Sequence, residues 1–355
     1  MRVAILWTGL SGYLNACLKE LAGREGVELF VSHQAPVQHV PFDDNQYAWI
    51  PNRLVWRSQA DLAPLGEQLQ IFDPEILVFA GWHVPAYRRT ARALAKRCWR
   101  VLAIDNPWEG TLRQRIGTLV APWYIRPLAD MIWVPGERQA AFARRLGFEQ
   151  RAILWGSLSC DAPTMESVHV ARVTEGRAVP RSFLFVGEFA PHKGVRQLVK
   201  AYEAYREKSV DPCPLICCGA GPLNAHLEGR AGIRVEGFVQ PEHLPHVLAS
   251  AGCLVLPSSI DHWGVVVHEA ASAGLVILAS DNVGATVHLV QDNYNGYLFD
   301  SRDVKRLATL MSHLSGMSDA RLDAMSKASH LLSKQFSPVR WADTLLQARD
   351  SVSLS

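Results

Sequence analysis

The sequence predicts an α/β protein of two domains, each built around an open parallel sheet. Short apolar runs rich in β-branched residues alternate with amphipathic helical segments, which is typical of parallel strands joined by right-handed crossovers. A chain of 355 residues also favours two domains. The alternation pauses near residues 162–181 and then begins again. We therefore expect one domain over 1–165 and a second over 180–335.

The elements follow in order from these runs. In the first domain the predicted strands are RVAILW, VELFVS, ILVFAG, RVLAID, MIWVPG and AILWG. Residues 162–181 carry two prolines and no strong periodicity, which predicts a linker. The second domain has SFLFVGE, PLICCGAG, IRVEGFV, CLVLPS and LVILAS as strands, and only helical patterns follow NGYLFD. The last helix is predicted to begin at Pro338, because Ser337 suits the N-cap and proline the first helical position.

Composition narrows the class of protein. The net charge of +2 gives no support for nucleic-acid binding, and the seven cysteines show no disulfide or zinc spacing, so we expect buried thiols in a reducing compartment. The first apolar run is too short for a secretory signal or a membrane span. We expect a cytoplasmic protein, with attachment to the inner face of the membrane left open.

Polar residues directly follow strands of the second domain, where doubly wound sheets bind ligands. Lys193 and Gly194 precede a helix, so an ammonium group and free amides could hold a phosphate there; a surface lysine before a glycine turn gives the same pattern. Asn224, the residue directly after CCGAGPL, occupies the last glycine position of the dinucleotide fingerprint G-x-G-x-x-G. A loop that packs a strand against a helix is the favoured interpretation of that segment.

Two carboxylates, Asp261 and Glu269, flank the next strand-to-helix connection. Gly264 allows a tight turn between them, and Glu269 lies about one turn inside a helix whose small residues, AASAG, let a ligand approach closely. A carboxylate in apolar surroundings needs partners. Ligand hydroxyls would serve, and so would an arginine or backbone amides elsewhere in the chain.

Four separated segments resemble the donor half of a family-4 retaining glycosyltransferase of the GT-B fold. They are FLFVGEFAPHKGVRQLVKAY, CCGAGPL, the block from IRVEGFV to HEAASAG, and DNYNGYLF, which together cover about residues 183–300. The resemblance implies two Rossmann-like domains facing across a cleft, with a final helix over 337–355 returning to the first. It further implies sugar transfer from a nucleotide diphosphate-sugar, UDP more often than GDP, to a hydroxyl acceptor, with no essential metal or cofactor.

The resemblance also assigns roles to individual residues. Glu269 would bind the ribose hydroxyls, Asp261 would lie by the donor sugar, and Lys193 would bind the diphosphate. Further donor contacts would come from loop residues Val239, Trp263, Gly264 and Val265. Asp261 is one methylene shorter than the usual glutamate. Glu188 stands where relatives often carry arginine, and a carboxylate beside a diphosphate is repulsive unless it points away, with Arg196 or a helix dipole compensating.

The first domain would then bind the acceptor. This acceptor would be a glycan, a lipid-linked glycan such as those of envelope polysaccharide assembly, or a small molecule. Gly9 and Gly12 would let phosphate or acceptor approach the backbone of the first turn. Asp105 follows a strand where relatives often carry a His-Asp pair at the reaction centre, although an aspartate that caps a turn fits equally. His83 also follows a strand, with a structural role as its alternative.

Residues 76–104 contain six basic side chains and no acid. A helix there would present a cationic face beside Trp99, near the aromatic segment TLVAPWYIRPL, and together these could rest on an anionic leaflet. A solvated helix face is the more ordinary interpretation. Three other functions also remain open: a non-catalytic partner subunit, favoured by the departures at Glu188 and Asp105, a nucleotide-sugar epimerase, and a dehydrogenase, which the failed glycine fingerprint disfavours.

Overall fold

The computed structural model describes residues 1–36 and 42–353 and divides into two compact α/β units. The first unit comprises Met1–Ser159 together with the C-terminal segment from Pro338, and the second comprises Cys160–Ser337. Each unit has one all-parallel sheet with its own core. The predicted fold class, two Rossmann-like α/β domains, is confirmed.

The first unit contains a seven-stranded sheet in the order β3-β2-β1-β4-β5-β6-β7. Its strands are β1 (Arg2–Trp7), β2 (Glu28–Gln34), β3 (Asn52–Trp56), β4 (Ile76–Ala80), β5 (Trp99–Ala103), β6 (Met131–Val134) and β7 (Ile153–Trp155). Its helices are α1 (Gly12–Ala22), α2 (Leu65–Phe72), α3 (Pro85–Ala93), α4 (Leu112–Tyr124) and α5 (Glu137–Arg145). The edge strand β3 was not predicted, because it is only partly buried and its sequence, NRLVW, begins with two polar residues.

The second unit contains a six-stranded sheet in the order β10-β9-β8-β11-β12-β13. Its strands are β8 (Phe183–Val186), β9 (Leu215–Cys218), β10 (Ile233–Gly237), β11 (Cys253–Leu256), β12 (Val276–Ser280) and β13 (Gly296–Phe299). Its helices are α6 (Ala162–Thr174), α7 (Val195–Lys208), α8 (Leu244–Ala249), α9 (Val265–Ser272), α10 (Thr286–Leu289), α11 (Val304–Ser315) and α12 (Asp319–Ser333).

Both sheets reverse their strand order next to the first strand of the unit. This switch lies between β1 and β4 in the first unit and between β8 and β11 in the second. Loops leave the carboxyl ends of these two strands in opposite directions, which opens a crevice where ligands of doubly wound sheets bind. The topology therefore marks one candidate site in each unit.

The last helix, α13 (Pro338–Ser353), begins at the predicted proline and belongs to the first unit. Residues 354 and 355 of the predicted range lie outside the described residues. The Trp341 ring packs 4.7 Å from that of Trp133, centroid to centroid, and its indole N–H donates to the Ser157 carbonyl at 2.9 Å. Arg24, just after the C-terminal end of α1, pairs with Asp343 at 2.8 Å. A buried tryptophan and a salt bridge thus attach this helix to the first sheet.

The predicted linker over 162–181 is wrong, because α6 occupies most of it. Asp161 caps this helix and accepts a hydrogen bond from the Thr164 hydroxyl at 2.8 Å, and proline is tolerated in a first helical turn. The buried face carries Met165, His169 and Arg172. Arg172 donates to Ser326 on α12 at 2.7 Å. The buried side is therefore largely polar, which hid the helical periodicity.

The predicted cationic helix beside Trp99 is also partly wrong. Helix α3 ends at Ala93, and Trp99 is a buried residue of β5. Arg100 is buried as well and pairs with Asp130 at 2.8 Å, while Arg97 pairs with Asp73 at 3.3 Å. The exposed cationic surface is therefore smaller than the sequence suggests. Six of the seven cysteines are buried, and none forms a disulfide within the described residues.

Candidate functional site

The crevice of the second unit is formed by the turns after β8 and β11. The Ser259 amide donates to the His192 carbonyl at 2.8 Å, which joins the two turns. Gly194 precedes α7 with φ +75°, and a Cβ there would lie 2.1 Å from the Pro257 carbonyl oxygen. Only glycine fits so close an approach, so Gly194 fixes the N-terminus of α7 against the turn after β11.

Lys193 and Asp261 meet at this point. The Lys193 Nζ donates to the Asp261 Oδ2 at 2.7 Å, and the two side chains are 21% and 10% exposed. The ammonium group is thus held in place by a carboxylate at the mouth of the crevice. The structure brings together these two predicted residues, which lie 68 positions apart.

The N-termini of α7 and α9 provide amides at the same edge of the sheet. Each helix follows a glycine, Gly194 or Gly264, in the left-handed region. A glycine N-cap has no side-chain acceptor for the first-turn amides, which usually bond to such a cap. Those amides and the positive end of the helix dipole suit an anion.

The turn that carries Asp261 is fixed by the connection after β12. The Gly284 amide donates to the Asp261 carbonyl at 3.0 Å, and the Ala285 amide donates to the Trp263 carbonyl at 2.7 Å. The Trp263 side chain is buried and packs on Phe336, with ring centroids 5.3 Å apart. Its ring therefore supports the turn from beneath, and a ligand would meet the backbone of Gly264 and Val265 instead.

Glu269 lies about one turn inside α9. Among the described residues, no side chain or amide forms a hydrogen bond or ion pair with its carboxylate. The side chain keeps some contact with solvent, but surrounding protein removes most of its hydration. This desolvation raises the pKa of Glu269 to about 7, and the charge of Asp161, the N-cap of α6, adds to the shift. The alternative of a carboxylate satisfied by an arginine or backbone amides is not supported.

Glu269 is expected to make the protein less stable above neutral pH. Its pKa rises from 4.5 to about 7 on folding, so its contribution to the free energy of unfolding is present below pH 4.5 and is lost as the pH rises through 7. Glu269→Gln removes this dependence. The full shift corresponds to about 3.4 kcal/mol, and contact with solvent reduces it, so we expect the variant to exceed wild type by about 1–2 kcal/mol at pH 8 and to match it near pH 4.5. Urea unfolding at both pH values measures the difference; a parallel pH dependence in the two proteins would contradict the assignment.

The remaining predicted residues of this unit lie around the same edge. Glu188 is partly exposed in the turn after β8, and Val239 is partly exposed in the loop after β10. Arg196 donates to His226 at 3.3 Å, and within the described part of the chain it forms no ion pair with Glu188. The compensation of Glu188 by Arg196 is therefore not observed.

The segment CCGAGPL packs backbone against backbone. A Cβ on Gly219 would lie 1.9 Å from the carbonyl oxygen of Gly187, in the turn after β8. The Phe189 amide donates to the Ala220 carbonyl at 2.9 Å. The close approach of the two turns explains these glycines. It agrees with the interpretation of CCGAGPL as a packing loop rather than a dinucleotide-binding loop.

A cavity of about 140 Å³ lies at the switch point of the first unit. It is bordered by the carboxyl ends of β1, β4 and β5, and His83 and Asp105 both line it. Both residues are exposed, and the Asp105 carbonyl accepts from Gln139 at 3.1 Å. The structure thus places both candidates for the reaction centre at one cavity.

The two glycines predicted for this unit differ in their surroundings. Gly9 is exposed, and a Cβ there would meet no described residue within 4 Å, so crowding by these residues does not require a glycine. Gly12 is the first residue of α1. Three aromatic residues, which the sequence analysis did not single out, also line the cavity: Trp7, Tyr13 and Trp82.

Comparison with known protein families identifies the crevice-bearing unit as a sugar-transferase domain. Residues 175–330 match the family model described as glycosyl transferases group 1. The match covers most of the second unit, including both crevice turns and all of α9. The second unit therefore carries a glycosyl transferases group 1 domain.

Curated relatives share limited identity with this chain. Alpha-D-kanosaminyltransferase of Streptomyces kanamyceticus is 26% identical over 161 residues, which is 43% of this chain and 41% of the relative. A GDP-mannose-dependent alpha-(1-6)-phosphatidylinositol monomannoside mannosyltransferase of Mycobacterium tuberculosis is 30% identical over 143 residues, 36% of this chain and 37% of the relative. The chain aligns with less than half the length of the curated relatives it matches.

The fold likeness extends over the whole chain. A crystal structure of Anabaena HepE in complex with UDP superposes with a TM-score of 0.71, 16% identity and complete coverage of both chains. At this identity the likeness establishes the fold, which is of the GT-B type.

Proposed function

We propose that the protein is a retaining glycosyltransferase that moves a sugar from a nucleotide diphosphate-sugar to a hydroxyl acceptor. The observation that carries the proposal is Glu269, a desolvated carboxylate that accepts no hydrogen bond from the part of the chain that the structure describes. Such a group is costly to keep in a folded protein, and a pair of ribose hydroxyls would supply the missing donors. It lies in the part of the chain that matches the transferase family model.

Beside Glu269, the crevice supplies what a diphosphate needs. Lys193 provides a cation, and the first-turn amides of α7 and α9 provide donors at the positive ends of two helices. In the transition state, charge builds on the departing diphosphate, so donors that are already in position lower the barrier. The proposal assigns this charge stabilisation to the chain itself rather than to a metal ion. Asp261, which orients Lys193 at 2.7 Å, would accept from hydroxyls of the donor sugar.

The acceptor would bind in the cavity of the first unit. Aromatic rings beside the His83 and Asp105 side chains suit the apolar faces and hydroxyls of a sugar. In our proposal Asp105 orients the attacking hydroxyl, and the leaving diphosphate takes its proton as the bond forms on the same face. The acceptor would be a glycan, in keeping with lipid and glycan acceptors named for relatives. UDP is the first candidate carrier, because HepE binds UDP, with GDP as the alternative.

Donor turnover tests this function. The protein is incubated with UDP-, GDP-, ADP- and dTDP-sugars labelled in the sugar, with and without a glycan acceptor panel, and released products are separated. We expect release from one nucleotide series, slow with water as acceptor and faster with a suitable glycan. A nucleotide that binds but is never turned over would instead indicate a non-catalytic partner subunit, and epimerised donor would indicate an epimerase.

A further inference from the structure

Helix α4 of the first unit turns its apolar face toward solvent. Leu112, Leu119 and Trp123 are 74%, 72% and 77% exposed, and Ile116 and Val120 are also exposed. A surface helix of a globular protein ordinarily buries such a stripe against the core. The only buried residue of α4 is Ala121. The helix is thus attached by a small side chain and presents its large ones outward.

The five apolar residues form one continuous stripe. At about 100° per residue, Leu112, Ile116, Leu119, Val120 and Trp123 fall within an arc of about 100°. Ala121 lies on the opposite side of the helix, close to 180° from the first of them. The stripe therefore faces directly away from the unit. An exposed apolar surface of this kind marks an interaction site.

Cationic side chains border the stripe on both sides. Arg113 and Arg115 flank its two edges on the same helical projection. The guanidinium groups of Arg88 and Arg92, on α3, lie 5.1 and 6.0 Å from the centroid of the Tyr124 ring at the end of α4. No carboxylate of the described residues pairs with these four arginines, and residues 110–129 contain no acid.

We propose that α4 inserts its apolar stripe into the interface of an anionic membrane, parallel to the surface. The stripe would enter the boundary between headgroups and acyl chains, and the bordering arginines would contact lipid phosphates. An isologous contact with a second copy would bring the same arginines together, which is repulsive. No helix of the described residues could span a membrane, and a helix lying in the interface needs no such length. Charge thus favours an anionic lipid surface over self-association.

This docking would present the first unit to acceptors anchored in the bilayer. That consequence rests on the proposed transfer, whereas membrane binding by α4 does not. It narrows the acceptor class to hydroxyl groups on a lipid or lipid-linked glycan at an anionic leaflet.

Vesicle flotation tests the docking. The full chain is mixed with phosphatidylcholine vesicles with and without phosphatidylglycerol, beside Leu119→Glu/Trp123→Glu. The matched control is Ile71→Glu, which replaces an 80% exposed residue of α2 in the same unit. We expect wild type and the control to float with the anionic vesicles only, and the double variant to lose at least about tenfold in partitioning. Arg113→Gln/Arg115→Gln should lose about tenfold as well.

Three outcomes would overturn the proposal. The first is that the wild-type protein floats with neither kind of vesicle, and the second is that the double variant floats as the wild type does. The third is that the wild type sediments as a dimer and the double variant as a monomer, while neither protein binds vesicles. Stabilisation by nucleotide is measured on every variant. Helix α4 is not part of the donor crevice, so each variant should still be stabilised by nucleotide. A variant that loses vesicle binding but keeps this stabilisation separates a failure of membrane docking from a failure of the proposed donor site.

Discussion

Glu269→Ala is expected to lower kcat/KM for the nucleotide-sugar donor by roughly 100- to 10,000-fold. The proposal gives this carboxylate two ribose hydroxyls as donors, and a hydrogen bond to a charged group contributes about 1.5–3 kcal/mol. The loss should appear mainly in KM, because the ribose contacts are the same before and during the reaction. Steady-state kinetics of donor consumption gives both parameters.

The matched control for this change is Glu207→Ala. Glu207 is an exposed glutamate near the C-terminal end of α7, remote from the amides that begin this helix. It should retain wild-type kinetics. A Glu269→Ala enzyme whose KM stayed within twofold of wild type would show that the nucleoside binds elsewhere.

Lys193→Ala is expected to lower kcat by roughly 100- to 1,000-fold. Its ammonium group, which pairs with Asp261 just before the N-terminus of α7, is the cation that the proposal assigns to the diphosphate, and removal of a single preorganised stabilising group typically costs about 3–4 kcal/mol in the transition state. In the wild-type structure the ammonium group contacts the Asp261 carboxylate at 2.7 Å. Its removal leaves that carboxylate unpaired, and the carboxylate charge then repels the diphosphate. Kinetics at saturating donor measures the effect on kcat.

Lys200→Ala serves as the control for this second change, since Lys200 is exposed further along the same helix. Lys193→Arg keeps the charge and should recover part of the rate. If Lys193→Ala kept more than half of the wild-type kcat, the diphosphate charge would have to be met by other groups.

The crevice of the second unit was largely predictable from the sequence. Residues that follow strands in a doubly wound sheet converge on one edge, so Lys193 and Asp261 could be placed together although 68 positions separate them. Gly194 and Gly264 could be assigned to tight turns for the same reason. The resemblance then supplied their roles.

Other features could not be predicted, for physical reasons. Asp161 resembles an ordinary N-cap, and its effect on the pKa of Glu269 depends on how α6 packs in the second unit. Helical periodicity reveals an apolar face but not the side on which the core lies, so the outward orientation of α4 needs the structure. Helix α6 was missed because its buried face contains His169 and Arg172.

The most direct test of the donor site is a thermal-shift screen of wild type and Glu269→Ala against UDP, GDP, ADP and dTDP. A ligand at 100 times its Kd stabilises the folded state by about 2.7 kcal/mol, so we expect one nucleotide to raise the Tm of wild type by several degrees and to leave the variant unchanged. A well-folded wild type that responds to none of the four would contradict the account, as would equal shifts in both proteins.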